Sequence, residues 1–138
     1  MTYTFDAKRG LVVIPVFLAG PRGSETFEFA IDTGSTRSSV SGLILQQLGY
    51  SQPPSAGRST VRTAGGGGLT AGSVRVQRLG TFGEYHVDFP VLWLPLAPSA
   101  RVRGLLGLDF FRGSSLLFDF ARGRVSCPAP RPWWQFWR

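Results

Sequence analysis

Apolar and polar residues alternate in the first part of the chain in a way that predicts a β-hairpin. Residues 11–18 are rich in Val, Ile and Leu, which favours a strand, and Pro15 within them indicates an edge or a bulge. Residues 20–24 have the composition of a turn, and residues 26–31 then alternate as a half-buried strand does. We therefore expect residues 11–31 to form a hairpin.

The rest of the pattern predicts further short strands and one or two short helices. Residues 41–48 form a predicted helix that Ser41 caps and Gly49 ends, and residues 104–111 predict a short buried strand followed by one or two helical turns. The other predicted strands cover residues 60–64, 69–79, 86–94, 116–120 and 124–127. Four consecutive glycines, residues 65–68, join the first two of these strands and predict a hairpin tip.

The composition is that of one folded domain with many turns. The 138 residues are 43% apolar and 17% charged, which provides a core and excludes a disordered chain. Eighteen Gly and ten Pro favour short strands over a helical bundle. We expect one domain over residues 1–127, followed by a Pro/Trp/Arg-rich tail over residues 128–138.

Charge and cysteine content exclude several kinds of protein. The formal net charge is +7, but the arginines are scattered and no RNA- or DNA-binding motif occurs, so we expect a basic surface and no nucleic-acid partner. Cys127 is the only cysteine and His86 the only histidine, so neither a disulfide nor a zinc site is expected. Residues 11–19 are too short to span a bilayer, and a signal peptide is a weaker interpretation of them than a strand. We therefore expect a cytoplasmic protein.

One short motif carries candidate chemistry. Asp32, Thr33 and Gly34 follow the second predicted strand directly, and Ser35 comes next. Asp-Thr-Gly alone is often an ordinary turn. Here an apolar Leu-Leu-Gly at residues 105–107 lies downstream, and the glycine-tipped hairpin lies between the two motifs. This ordered set resembles the retropepsin-like aspartic peptidases, including their small bacterial members, over roughly residues 10–127.

The resemblance implies a fold, a reaction and a dimer. The implied fold is all-β, a closed acid-protease barrel with one or two short helices. Peptidases of this class hold one water between two carboxylates that share a proton, which needs no metal or organic cofactor. The chain contains one Asp-Thr-Gly, so we expect two copies of Asp32 to meet in a homodimer that cleaves peptides, and an inactive monomer.

The resemblance also implies roles for the neighbouring residues. Asp32, Thr33 and Gly34 form the catalytic loop: Gly34 offers its N–H to the carboxylate, and Thr33 reaches across the two-fold axis. Ser35 is expected to donate to the outer carboxylate oxygen. Support beneath the loop is expected from Leu105, Leu106 and Gly107. The expected flap over the substrate comprises Ala64, Gly65, Gly66, Gly67 and Gly68.

Alternatives remain open for the whole chain and for its tail. A non-catalytic dimerisation or protein-binding module could keep the same fold, and a membrane-associated adaptor is a weaker hypothesis. In the tail, Trp133, Trp134 and Trp137 accompany arginines and suit an interface. We rank packing on the chain or its dimer partner first, another protein second and a membrane third. Asp109 is expected to cap or start the second helix.

Overall fold

The computed structural model of the chain describes residues 1–54, 59–62, 68–96 and 100–129. Within these ranges the strands are β1 (Thr2–Thr4), β2 (Val13–Gly20), β3 (Gly23–Ile31), β4 (Ser39–Ser41), β5 (Ser59–Arg62), β6 (Gly68–Ala71), β7 (Ser73–Thr81), β8 (Glu84–Leu94), β9 (Gly104–Leu106), β10 (Leu117–Asp119) and β11 (Arg124–Ser126). The helices are α1 (Gly42–Gln47), α2 (Leu108–Phe111) and a 3-10 turn, Ala7–Arg9. The predicted all-β fold with short helices is confirmed.

Six strands close into a barrel in the order β2-β3-β9-β4-β8-β7, and β7 pairs with β2 to complete it. The β2–β3 and β7–β8 pairs are antiparallel, whereas β9 runs parallel to β3 and β4 runs parallel to β8. Parallel neighbours end at the same edge of a sheet. The chain that follows Ile31 therefore leaves the barrel beside the chain that follows Leu106.

The β2–β3 hairpin matches the one predicted for residues 11–31. Val13 lies opposite Ala30 at its open end, and every second side chain of β2 is buried. The other neighbour of β2, β7, pairs only with residues 17–19. Pro15 therefore lies beyond that second ladder, which is the edge position that a residue without an N–H requires.

The barrel interior is filled by side chains from several strands and both α-helices. The largest fully buried side chains are Phe29, Phe110, Ile14, Leu18, Leu45, Leu79 and Leu106. Burying one such side chain contributes about 1.5–3 kcal/mol. Leu45 of α1 and Phe110 of α2 belong to this cluster, so packing holds these helices, which are too short to be stable alone.

The terminal strands form a separate antiparallel sheet in the order β1-β11-β10. Tyr3 and Phe118 both lie opposite the fully buried Val125, and all three side chains pack onto the core. The β10–β11 hairpin confirms the one predicted near the end of the domain. The sequence pattern did not predict β1 or β4, because three residues carry too little alternation to identify a strand.

The prediction of one strand over residues 69–79 is wrong. The chain breaks at Gly72, which leaves β6 paired with β5 in a two-stranded sheet and β7 in the barrel. A Cβ at Gly72 would lie 2.6 Å from Pro53 Cβ, so the preceding loop crosses the chain at this point. A crossing of this kind leaves no trace in the hydrophobic pattern.

The predicted helix at residues 41–48 is confirmed as α1. Ser41 occupies its N-cap position, although the Ser41 side chain makes no capping hydrogen bond. Gly49 follows the helix with φ of +96°, a value that glycine adopts without strain. No helix in the described ranges combines the length and apolar character that a membrane crossing requires.

The Tyr50 hydroxyl extends the seam that closes the barrel. It donates to Ala19 O at 2.7 Å and accepts from Gln77 N at 2.8 Å. The β2–β7 ladder ends at the pair Ala19 and Arg78, so the hydroxyl bridges the two strands next to the last pair of the ladder. Burial raises the pKa of Tyr50 above its ordinary value, and the Gln77 N–H partly offsets this effect. The residue thus replaces a missing rung of the β2–β7 ladder.

Candidate active site

Asp32 begins the loop that leaves the barrel after β3. Its backbone N–H donates to Leu106 O at 2.9 Å, and Ile31 N donates to Val12 O at 2.9 Å. The loop therefore starts from a backbone that is fixed on both sides. Asp32 is half-buried, whereas Thr33 and Gly34 are exposed.

Two short hydrogen bonds shape the Asp-Thr-Gly turn. Ser35 N donates to Asp32 O at 3.1 Å, and Gly34 N donates to Asp32 Oδ1 at 3.0 Å. The second bond is the one that the resemblance implied for Gly34. It orients the carboxylate relative to the loop, because an ionised oxygen accepts strongly from a backbone N–H.

The Ser35 hydroxyl has a different partner from the one expected. It donates to Arg37 O at 3.1 Å instead of to the outer oxygen of Asp32. A hydroxyl carries a single proton to donate, so the two bonds exclude each other. In this structure Ser35 stabilises the turn that follows the carboxylate.

The Leu-Leu-Gly segment lies directly beneath the loop. Leu105 pairs with Ala30 and the fully buried Leu106 pairs with Ile31, in parallel register. A Cβ at Gly107 would lie 2.7–2.8 Å from backbone atoms of Ser35 and Arg37. Only glycine allows the two backbones to approach so closely.

A hydrogen-bonded chain that the sequence did not reveal joins the far side of the loop to α2. Gly107 N donates to Ser38 Oγ at 3.0 Å, and that hydroxyl donates to Asp109 Oδ1 at 2.7 Å. The Ser38 N–H also donates to the same carboxylate, at 2.9 Å to either oxygen. Ser38 is fully buried, so these partners satisfy its polar groups.

Of the two positions expected for Asp109, the cap or the start of α2, the structure shows the start. Gly107 occupies the N-cap position of α2, and Asp109 lies in the first turn, facing Ser38. One feature of the sequence carried this information: a lone carboxylate stands within the apolar run Leu-Leu-Gly-Leu-Asp-Phe-Phe. A half-buried charge in such surroundings requires hydrogen-bond partners.

The hairpin expected to carry the flap is present in part. β5 and β6 pair antiparallel from Ser59 opposite Ala71 to Arg62 opposite Gly68. Gly68 is thus the first residue of β6. The remaining predicted flap residues, Ala64, Gly65, Gly66 and Gly67, lie outside the described residues, as do Trp133, Trp134 and Trp137 of the tail.

Two surface cavities lie elsewhere on the molecule, and Asp32 lines neither. One, of about 270 Å³, lies between α1 and the end of β8, and the other, of about 300 Å³, lies beside β1 and the β7–β8 turn. Among the described residues, no group of three or more His, Cys, Asp or Glu side chains comes together.

A closed barrel with an Asp-Thr-Gly loop held over a buried Leu-Leu-Gly strand defines a retropepsin-like aspartic protease. The family model of the "gag-polyprotein putative aspartyl protease" matches residues 22–113, and the chain belongs to this family. The recognition made from the sequence is thereby confirmed.

Two solved structures are similar to the chain in fold. A retropepsin-like aspartic protease from Rickettsia conorii is 14% identical, with a TM-score of 0.60, over 94% of this chain and 92% of that one. The EIAV protease in complex with the inhibitor HBY-793 is 16% identical, with a TM-score of 0.58, over 84% of this chain and 100% of that one. None of the curated proteins matches the chain.

Proposed function

We propose that the protein is an aspartic endopeptidase whose active site is formed by Asp32 from each of two copies. The observation that carries this proposal is the loop itself. Asp32 follows a barrel strand, its carboxylate accepts from Gly34 N–H, and its own N–H donates to Leu106 O, while Gly107 packs against the backbone of the following residues, Ser35 and Arg37. Family membership supports the chemistry that this loop would perform.

The carboxylate count supports a homodimer. An aspartic peptidase needs two facing carboxylates, and the three downstream aspartates have other partners. Asp88 pairs with Arg75 at 3.6 Å, Asp109 accepts from Ser38, and Asp119 pairs with Arg122 at 3.0 Å. A second copy of the chain supplies the missing group through a two-fold axis. The exposure of Thr33 and Gly34 in the single chain suits residues that meet a partner loop.

The reaction needs no group beyond the paired carboxylates and a water. One Asp32 is ionised and accepts a proton from the water, whose oxygen then attacks the peptide carbonyl carbon. The other Asp32 is protonated and donates to the carbonyl oxygen. When the tetrahedral intermediate breaks down, the Asp32 that took the proton of the water passes it to the leaving amine, and the other Asp32 recovers its proton from the hydroxyl that becomes the product carbonyl.

The residues beneath the Asp32 loop and the β5–β6 hairpin support the reaction in this proposal. Ser35, Leu105, Leu106 and Gly107 hold the loop, and residues 64–68 at the β5–β6 hairpin close over the substrate. The substrate is a peptide that binds as an extended strand between the hairpin and the loop.

The division of the chain and its location complete the proposal. Residues 1–127 form the peptidase domain, and residues 128–138 form a tail whose tryptophans contact the chain itself or its dimer partner, another protein or a membrane, in that order of preference. A chain with one cysteine does not depend on an oxidising compartment, which favours the cytoplasm.

The direct test compares the wild-type protein with Asp32→Asn on a peptide library at mildly acidic pH. Asp119→Asn is a matched control, because it makes the same chemical change at an aspartate outside the proposed site. We expect wild type and Asp119→Asn to cleave and Asp32→Asn to be inactive. If neither wild type nor Asp32→Asn cleaves although both are dimeric, the non-catalytic module becomes the better hypothesis. Equal cleavage by both would exclude Asp32 as the catalytic group.

A further inference from the structure

Arg37 connects the candidate active-site loop to the base of the β5–β6 hairpin. Its backbone belongs to the loop, since Arg37 O accepts from Ser35 Oγ at 3.1 Å and its carbonyl group contacts Gly107. Its side chain reaches the other element, where Arg37 Nη2 donates to Ser73 Oγ at 2.9 Å. Ser73 begins β7, two residues after the end of β6. The guanidinium therefore joins the loop to the start of β7, next to the end of the β5–β6 hairpin.

The positive charge of Arg37 has no acidic partner in the described part of the chain. The ion pairs found there join Arg75 to Asp88 and Arg122 to Asp119. The Asp109 carboxylate, which lies beyond the loop, accepts from Ser38. Within the described ranges, the Arg37 guanidinium has one hydrogen-bond partner, the neutral hydroxyl of Ser73, and a guanidinium has five N–H donors. Several donors remain available to a ligand.

We propose that Arg37 is a specificity-determining residue that selects peptide substrates with an acidic side chain near the scissile bond. This inference rests on the proposed function, because it assumes that the substrate lies between the loop and the hairpin. A guanidinium matches a carboxylate in planar, bidentate geometry and remains charged at any pH at which the enzyme works. The two-fold axis places one Arg37 on each side of the paired Asp32 residues, so the preference extends to both sides of the cleaved bond.

The size of the preference follows from the half-exposed position of Arg37. An exposed ion pair is weak, whereas a charge-assisted hydrogen bond in a partly desolvated cleft is stronger. We expect kcat/KM to be about three- to tenfold higher for a peptide with Glu near the cleaved bond than for the same peptide with Gln. Salt should reduce this ratio, because the Debye length falls from about 10 Å at 0.1 M to about 3 Å at 1 M.

The test uses pairs of peptides that differ by Glu or Gln at single positions flanking the cleaved bond. The assay is run at pH about 5–6, where a Glu with a pKa near 4.3 is ionised. Wild type should prefer the Glu peptides, Arg37→Gln should cleave both equally, and Arg37→Lys should keep part of the preference. Arg22→Gln is the control: it removes the same charge from the closed end of the β2–β3 hairpin, away from Asp32.

Two results would overturn the inference while leaving the proposed function intact. The first is equal cleavage of the Glu and Gln peptides by wild type. The second is an Arg37→Gln variant that cleaves the Gln peptide at the wild-type rate and still prefers the Glu peptide. If Arg37→Gln does not fold, the salt dependence of the wild-type ratio decides, and a ratio that salt does not change contradicts an ionic contact. The absence of any Asp32-dependent cleavage would instead refute the proposed function, and the inference with it.

Discussion

Ser38 and Asp109 are 71 residues apart in sequence, yet the backbone N–H and the hydroxyl of Ser38 both donate to the Asp109 carboxylate. The same hydroxyl accepts from Gly107 N at 3.0 Å. One buried serine thus joins the end of the Asp32 loop, the glycine beneath it and the first turn of α2. The position of Asp32 depends on this junction as well as on its own turn.

Removing the Asp109 carboxylate should destabilise the fold, and an amide side chain at this position should restore part of the lost stability. Asp109→Leu leaves the buried Ser38 donors without acceptors, which costs about 1–3 kcal/mol. Asp109→Asn keeps one acceptor oxygen and should lose less. Urea unfolding of the two variants measures the difference. Equal stability of wild type and Asp109→Leu would show that the Ser38 contact contributes nothing.

Gly107→Ala should destabilise the loop through steric overlap. The new Cβ would lie 2.7–2.8 Å from backbone atoms of Ser35 and Arg37, which cannot rotate away as a side chain can. Overpacking of this kind costs about 1–3 kcal/mol. Leu108→Ala is the control at the adjacent, exposed position. Thermal unfolding should separate the variants, and a Gly107→Ala protein as stable as the control would contradict the close approach.

Tyr50→Phe should weaken the seam between β2 and β7. The variant loses the bonds to Ala19 O and from Gln77 N, at a cost of about 1–2 kcal/mol. The stability difference should also depend on pH. The folded-state pKa of Tyr50 is raised, so below its ordinary value of 10.0 the hydroxyl is neutral in both states and its contribution is complete. Above that value the unfolded chain releases the proton more readily, and the contribution is lost.

Urea unfolding of wild type and Tyr50→Phe, between neutral pH and pH above 10, tests this sign. The other titrating groups are common to both proteins, so the difference between them isolates Tyr50. We expect the wild-type advantage to shrink as the pH rises. An advantage that grows with pH would mean that the hydroxyl is ionised more easily in the folded protein.

Ser35→Ala distinguishes the observed hydrogen bond from the one implied by the resemblance. Because the Ser35 hydroxyl donates to Arg37 O, its removal should leave the pH profile of kcat/KM unchanged and lower stability by about 1 kcal/mol. A donor to Asp32 would instead favour the ionised carboxylate, and its loss would shift the acidic limb of the profile to higher pH. Rate profiles of wild type and variant across acidic pH give the answer.

Periodicity predicted the elements whose side chains alternate over many residues. The β2–β3 hairpin was found because burial alternates along β2. β8 was found although it ends in four consecutive buried residues, because a continuous apolar run also indicates a buried strand. The split between β6 and β7 was not predictable in this way, because it depends on Pro53 crossing at Gly72. The three-residue strands β1 and β4 are too short to show a period.

In the candidate site, too, some features could be predicted from the sequence and others could not. The Asp32 loop and its Leu-Leu-Gly support were recognisable because each is a continuous motif. Ser38 and Arg37 were not, because their roles arise from contacts with Asp109 and Ser73, which are distant in sequence. The resemblance also implied a different partner for Ser35, because the acceptor of a serine hydroxyl depends on how the loop packs, and in this structure it is Arg37 O.

The central claim is that one active site contains two copies of Asp32, and a subunit-mixing experiment tests it most directly. Wild type and Asp32→Asn are unfolded together, refolded at constant total concentration, and assayed as the wild-type fraction varies. If each site needs two intact carboxylates, activity falls with the square of the wild-type fraction, to about one quarter in an equal mixture. A linear fall, to about one half in that mixture, would contradict the shared site.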